Sequence, residues 1–128
     1  MNIRLIHEED IEELVLPGRR LRWLADAERL APRYLSSCMV RIAPGHKVQP
    51  AHSHPNGEEL IHIISGSGRI LVDGCVGPVR KGTTVLLPQG SIHMLQNTGD
   101  EEMKVICFYA PPSNLATYQF HEEVDFPT

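Results

Sequence analysis

Glycine and proline break this 128-residue chain at short, even intervals. They run from Pro17-Gly18 through Pro44-Gly45 and Pro55-Asn56-Gly57 to Pro88-Gln89-Gly90. Such spacing leaves no room for long helices. The runs between the breaks are rich in Val, Ile and Leu, which is how an all-β sandwich or barrel reads. The expected strands are Arg19–Leu24, Tyr34–Ile42, Glu59–Ser65, Arg69–Val72, Val76–Val79, Thr84–Leu87, Ile92–Asn97 and Met103–Tyr109. The only stretches that could be helical are His7–Leu14 and Ala25–Leu30, both short. The chain has no internal repeat, low-complexity segment or linker, and its length suits one hydrophobic core.

Several strands are apolar at both alternate positions. In Met103–Tyr109, Val105 and Cys107 share one face and Ile106 and Phe108 the other, so both faces are expected to be covered. In a small barrel one face is the lumen. The other calls for an outer strand layer or a second subunit, which makes a homodimer the expected assembly.

Charge and cysteine usage exclude several function classes. A net charge of −4 does not suit a nucleic-acid surface. Arg19-Arg20-Leu21-Arg22 is short and interleaved with apolar residues, and is read as the solvent face of a strand. The N-terminal stretch Met1–Asp10 turns acidic before an apolar run develops, unlike a signal peptide, and no run reaches the length of a membrane span. Cys38, Cys75 and Cys107 are odd in number and widely spaced, as small core residues in a reducing cytoplasm would be.

The chemistry gathers in His52-Ser53-His54-Pro55-Asn56-Gly57-Glu58-Glu59. On a strand, His52 and His54 present both imidazoles to one side. Glu59 lies five residues past His54, so the chain must turn, and Pro55-Asn56-Gly57 is suited to it. Beyond the turn, Glu59, Ile61 and Ile63 share a face, while Glu58, Leu60 and His62 take the other. One of the two carboxylates can therefore join the histidines.

This stretch lies in a pattern G-x6-H-x-H-x4-E-x6-G, from Gly45 to Gly66. A second pattern, G-x5-P-x-G-x2-H-x3-N, runs from Gly82 to Asn97 and contains His93. Together they resemble the two motifs of the cupin superfamily. The first carries one extra residue between Gly45 and His52, which a bulge near Pro50-Ala51 would absorb. The resemblance implies a jelly-roll barrel, the double-stranded β-helix, spanning residues 1–128. Its motif core would be 45–97, flanked by strands within 19–42 and 103–109.

The same resemblance implies metal ligands at His52, His54, Glu59 and His93. Gly66, Gly82 and Gly90 would then be turn glycines, with Pro88 and Asn97 structural. Three imidazoles and one carboxylate suit Mn, Fe, Ni, Zn or Cu better than Ca or Mg. An octahedral ion so held keeps two positions open, as catalytic sites do.

Two functions follow as expectations. One is a metal-dependent enzyme acting on a small oxygenated organic substrate by dioxygenase, decarboxylase or isomerase-type chemistry. The other is a non-catalytic small-molecule binder. Neither engages nucleic acid or membrane. The sequence assigns no catalytic residue beyond the ligands: Arg41, Tyr34 and Tyr109 are candidates whose facing it leaves open. His7, His46 and His121 are expected in solvent, His62 at a subunit contact or between layers, and Trp23 and Tyr34 in packing. The acidic pairs Glu8-Glu9 and Glu122-Glu123, with Asp100-Glu101-Glu102, are expected to be solvated.

Overall fold

A computed structural model describes residues 2–128; Met1, the first residue of the stretch read as unlike a signal peptide, lies outside them. Eleven strands form two antiparallel sheets. They are β1 (Leu14–Leu16), β2 (Arg19–Ala25), β3 (Ser36–Ile42), β4 (Ala51–Ser53), β5 (Glu58–Ser65) and β6 (Ser67–Val72). β7 (Cys75–Arg80), β8 (Thr84–Leu87), β9 (His93–Asn97), β10 (Met103–Ala110) and β11 (Gln119–His121) complete the set. One sheet has the order β1-β2-β3-β10-β5-β8 and the other β11-β4-β9-β6-β7. Chain-sequential strands alternate between sheets at β3–β4, β4–β5 and β5–β6, which is the jelly-roll wiring.

All eight expected strands are present, most with ends shifted by a residue or two. Two further short strands, β1 and β11, were not legible in the sequence, and β4 was read only from the placing of His52 and His54 on a strand. The helical expectations are corrected. Of His7–Leu14 a 3-10 turn at Glu8–Asp10 forms, and Leu14 opens a strand. Ala25–Leu30 is a tight turn bridged from Asp26 to Leu30. Both segments carry too few apolar positions at helical spacing to bury a helix face.

The core lies between the sheets. Leu21, Trp23, Cys38, Val40, Ile42, Ile61, Ile63, Leu95, Val105, Cys107 and Tyr109 belong to one buried cluster. Strict alternation along β5 sends Glu59, Ile61 and Ile63 inward, and leaves Glu58, Leu60 and Ile64 exposed. Along β10, Val105, Cys107 and Tyr109 face in. Ile106 and Phe108 face out with no strand layer over them among the described residues, so only one face of this doubly apolar strand is fully covered there.

Two glycines fix the frame. Gly66 sits at φ +85° between β5 and β6, where a Cβ would press on the Met103 backbone, so the turn admits no side chain. Gly18 follows Pro17 in the β1–β2 hairpin at φ +76°, and a Cβ there would overlap the Lys47 carbonyl. Asn97, fully buried, donates from Nδ2 to the Ile42 and Glu101 carbonyls (2.9 and 2.8 Å) and accepts from Gly99 N–H. Its expected structural role is therefore a bracket across the end of β9.

Candidate metal centre

The site is assembled from both sheets. His52 lies in β4 and pairs in register with His93 at the start of β9, which sets two imidazoles side by side. His54 follows one residue after β4. Glu59 comes from the opposite sheet, where its neighbours in register are Leu87 and Tyr109. The loops carrying these residues are stitched directly together. Gly90 N–H donates to the His54 carbonyl (3.1 Å), Gln89 Nε2 donates to the Pro55 carbonyl (2.9 Å), and the Ser91 hydroxyl closes its own turn onto Pro88. The stretch between Gly45 and Ala51, which carries the extra residue of the first pattern, lies outside the strands.

All four side chains are buried, and each offers one ligand atom within 4.8 Å of the others, a group that could hold a metal ion. His93 Nδ1–H donates to the Ser91 carbonyl (3.1 Å), and His52 Nδ1–H points at the Pro50 carbonyl (3.4 Å). A carbonyl only accepts, so both rings carry a proton on Nδ1 and turn Nε2 inward. Glu59 Oε1 lies 2.8 Å from His54 Nε2 and 3.3 Å from His93 Nε2. Yet Glu59 Oε1, both of these Nε2 atoms and His54 Nδ1 lack any partner with hydrogen-bond geometry. Buried polar atoms are seldom left so. A cation among them would satisfy Glu59 Oε1 and both Nε2 atoms at once, so the residues fit a metal of the N/O-preferring transition series.

The electrostatics agree. Burial pushes the Glu59 carboxyl up, but the close approach of His54 and His93 outweighs it and holds the group below the usual carboxylate range. Burial, then the neighbouring His93, holds His52 well below the ordinary imidazole value. A carboxylate beside a neutral imidazole is the protonation state a metal requires.

Around the cluster the lumen is narrow and largely apolar. Leu21, Val40, Val48, Ile61, Leu95 and Val105 line it, with a volume of about 30 Å³ that admits a couple of waters. Tyr118, just before β11, stacks on His52 (4.7 Å between centroids, 11° between planes) and meets His54 edge-on. Its hydroxyl lies 3.0 Å from that of Tyr109, whose oxygen is 3.5 Å from Cys38 Sγ. Burial pushes both phenols well above their ordinary value, so they stay protonated.

Of the three residues whose facing the sequence left open, Tyr109 faces the lumen. Tyr34 is 74% exposed, with the Arg33 guanidinium 5.9 Å over its ring, and joins no core packing, contrary to expectation, because its place before β3 lies outside the sandwich. Trp23 does pack, 5.8 Å from the Tyr109 ring. Arg41 is on the outer face, paired with Glu13 and Glu102. Two lumen residues were missed. Tyr118 carries no sequence signal. Arg19 does: it shares parity with Leu21 and Trp23, and it is buried inward, not on the solvent face assigned to its run.

Other expectations divide. Cys38 and Cys107 are buried, whereas Cys75 is exposed at the β6–β7 turn. His7 and His46 are exposed. His62 faces out and shares a hydrogen bond with Thr84 Oγ1 (2.7 Å). His121 is half-buried and bonds Ser53 Oγ (2.9 Å), because β11 folds back along β4. Glu8 and Glu102 are paired, with Lys104 and Arg41, instead of free in water.

The cupin domain family model matches residues 38–109, more than half of the chain. The chain is a cupin. Protein SchB of Streptomyces halstedii is 30% identical to it over 70 residues, 55% of this chain and 50% of that one. The polyketide synthase CurC of Streptomyces cyaneus is 25% identical over 111 residues, 87% of this chain and 71% of that one. The cupin thus spans about half the length of SchB. Among solved structures, one described as a predicted oxalate decarboxylase from Thermotoga maritima superposes with a TM-score of 0.74 at 18% identity. That match covers 84% of this chain and 98% of the other, and it shows the shared fold. No helix of the described residues is long and apolar enough to cross a membrane.

Proposed function

We propose that this cupin is a metal-dependent enzyme that acts on a small oxygenated organic molecule, with His52, His54, Glu59 and His93 as the ligands of one divalent transition ion. The observation that carries this reading is the set of unpartnered Nε2 and Oε1 atoms converging in the lumen. A bound Mn, Fe, Ni, Zn or Cu ion would supply Lewis-acid polarisation of substrate oxygens or, if iron, the redox chemistry of a dioxygenase. The chain's own residues do the rest. Pro50 and Ser91 carbonyls fix the ring tautomers, Tyr118 holds His52 by stacking, and the apolar walls keep water scarce. The paired hydroxyls of Tyr109 and Tyr118 can hold or pass a proton at the rim of the site. Names among the relatives, a polyketide synthase and a predicted oxalate decarboxylase, lend support to enzymatic chemistry on oxygen-rich small molecules.

The test is turnover by metal-loaded protein over a panel of diketones, catechols and 2-oxo acids, with dioxygen uptake followed in parallel. Turnover that chelation abolishes supports the enzyme, and oxygen uptake separates oxygenase from decarboxylase or isomerase chemistry. Tight binding without turnover across the panel would favour the non-catalytic binder instead.

The working unit in this proposal is one barrel per chain, paired as a cytoplasmic homodimer. Support for pairing comes from the outer face of the larger sheet, where Phe108, Leu60 and Leu86 lie side by side in register and are all exposed. An apolar row of that kind is covered in most stable assemblies. Light scattering should give a dimer that Leu86→Glu converts to a monomer; a monomer in the unmodified protein overturns it.

A further inference from the structure

Arg19 is a charged residue in the lumen that the metal cluster does not explain. It is 7% exposed, lies on the inward parity of β2 and lines the same cavity as His52, Glu59 and His93. The Pro17-Gly18 turn, pressed against Lys47, fixes where it enters the barrel. Its Nη1 donates to the Pro17 and Gln49 carbonyls (3.1 and 3.3 Å). The Nε and Nη2 hydrogens have no protein acceptor among the described residues. Neither does Arg19 form an ion pair there, whereas Arg20, Arg22 and Arg41 all converge on Glu13. A guanidinium keeps its charge at accessible pH, and the Nε/Nη2 edge of Arg19 is not among the fully enclosed unpartnered atoms, so it is open to a ligand in the cavity it lines.

We propose that Arg19 is the receptor for a carboxylate of the ligand, so that the pocket takes a small organic acid with oxygens for the metal at one end and a carboxylate at the other. Geometry and charge both favour this. The three donors left on Arg19 include the planar Nε/Nη2 edge that matches a carboxylate in bidentate fashion. Three neutral imidazoles and Glu59 leave a divalent ion with one positive charge, and Arg19 adds a second. No other carboxylate lines the cavity to offset them. The walls between are aliphatic, which suits a short carbon spacer.

The proposal rests on the metal reading for its chelating end alone, and the test separates the two. In metal-free protein, the Arg19 Nε–H resonance is followed by NMR against acetate, acetamide and inorganic phosphate. Acetate should shift it and acetamide should not. Equal shifts, or a larger response to phosphate, would overturn the carboxylate assignment. In metal-loaded protein, malonate should bind at least about tenfold more tightly than its monoamide. Arg19→Gln should bring the two to near parity without changing metal content, and Arg19→Lys should keep part of the preference. A preference that survives in Arg19→Gln, or is absent in the unmodified protein, sinks the idea. If Arg19→Gln does not fold, Arg19→Lys and the acetate titration decide. Should the protein take up no metal, the proposed function fails while the acetate arm still judges Arg19.

Discussion

Two polar clusters in this barrel use similar residues to opposite ends. On the outer face of the larger sheet, Glu13 gathers Arg20, Arg22 and Arg41, and Arg41 reaches on to Glu102. Both carboxylate oxygens of Glu13 are engaged, and water is close by. In the lumen, His54, Glu59 and His93 crowd together with their facing atoms unpartnered, and Arg19 keeps donors free. The outer cluster is saturated and holds strands together. The inner one has spare valence, retained at a cost in stability, and spare valence in a buried, partly open lumen is what a ligand site requires.

If that contrast is right, the largest effect should come from His54→Ala or His93→Ala. Each should abolish metal binding and with it the metal's stabilisation of the fold, about 4 kcal/mol when free metal exceeds its dissociation constant a thousandfold. Melting curves with and without metal would show it. Next, Glu59→Gln should weaken metal affinity by roughly a hundredfold or more, since even groups that only orient ligands cost tenfold to a hundredfold. Glu58→Gln should leave affinity unchanged, because Glu58 faces solvent. Equal behaviour of the two would mean the strand's register is wrong.

The outer cluster predicts a different signature. Arg41, hydrogen-bonded to Glu13, outweighs the effect of burial and holds the Glu13 carboxyl below its ordinary 4.5. Because the folded-state value is depressed, its contribution is full above the ordinary value and is lost as pH falls through the folded one. Glu13→Gln should cost about 1–2 kcal/mol at neutral pH and flatten the acid limb of the stability curve, with metal content intact. Smallest of all, His62→Ala should change stability by no more than about 0.5 kcal/mol and leave the metal untouched, as its hydrogen bond to Thr84 lies on the outer surface.

How much of this was legible in the sequence follows from which signals are local. Alternation along Glu58–Ile64 grouped Glu59, Ile61 and Ile63 on one face with no knowledge of the partner strand, because the period of a strand is set by its own backbone, and the resemblance to the cupin motifs picked that face as the inward one. The two missed strands, β1 and β11, are each three residues long and depend on pairing: β11 exists because the chain after Tyr118 returns to β4. Tyr118 reaches the site through that return, which no local pattern announces. Arg19 was legible and misread. Charge suggested solvent, while its shared parity with Leu21 and Trp23 pointed inward, and parity prevailed because β2 has the core on one side only.

Metal analysis of the protein purified without chelating resin tests the central claim most directly. Transition metal should be present at close to one ion per chain in the unmodified protein and in Glu58→Gln, and largely missing from His93→Ala. A fully folded protein that stays free of metal, even after equilibration with manganese, iron, nickel, zinc and copper salts, would contradict the account.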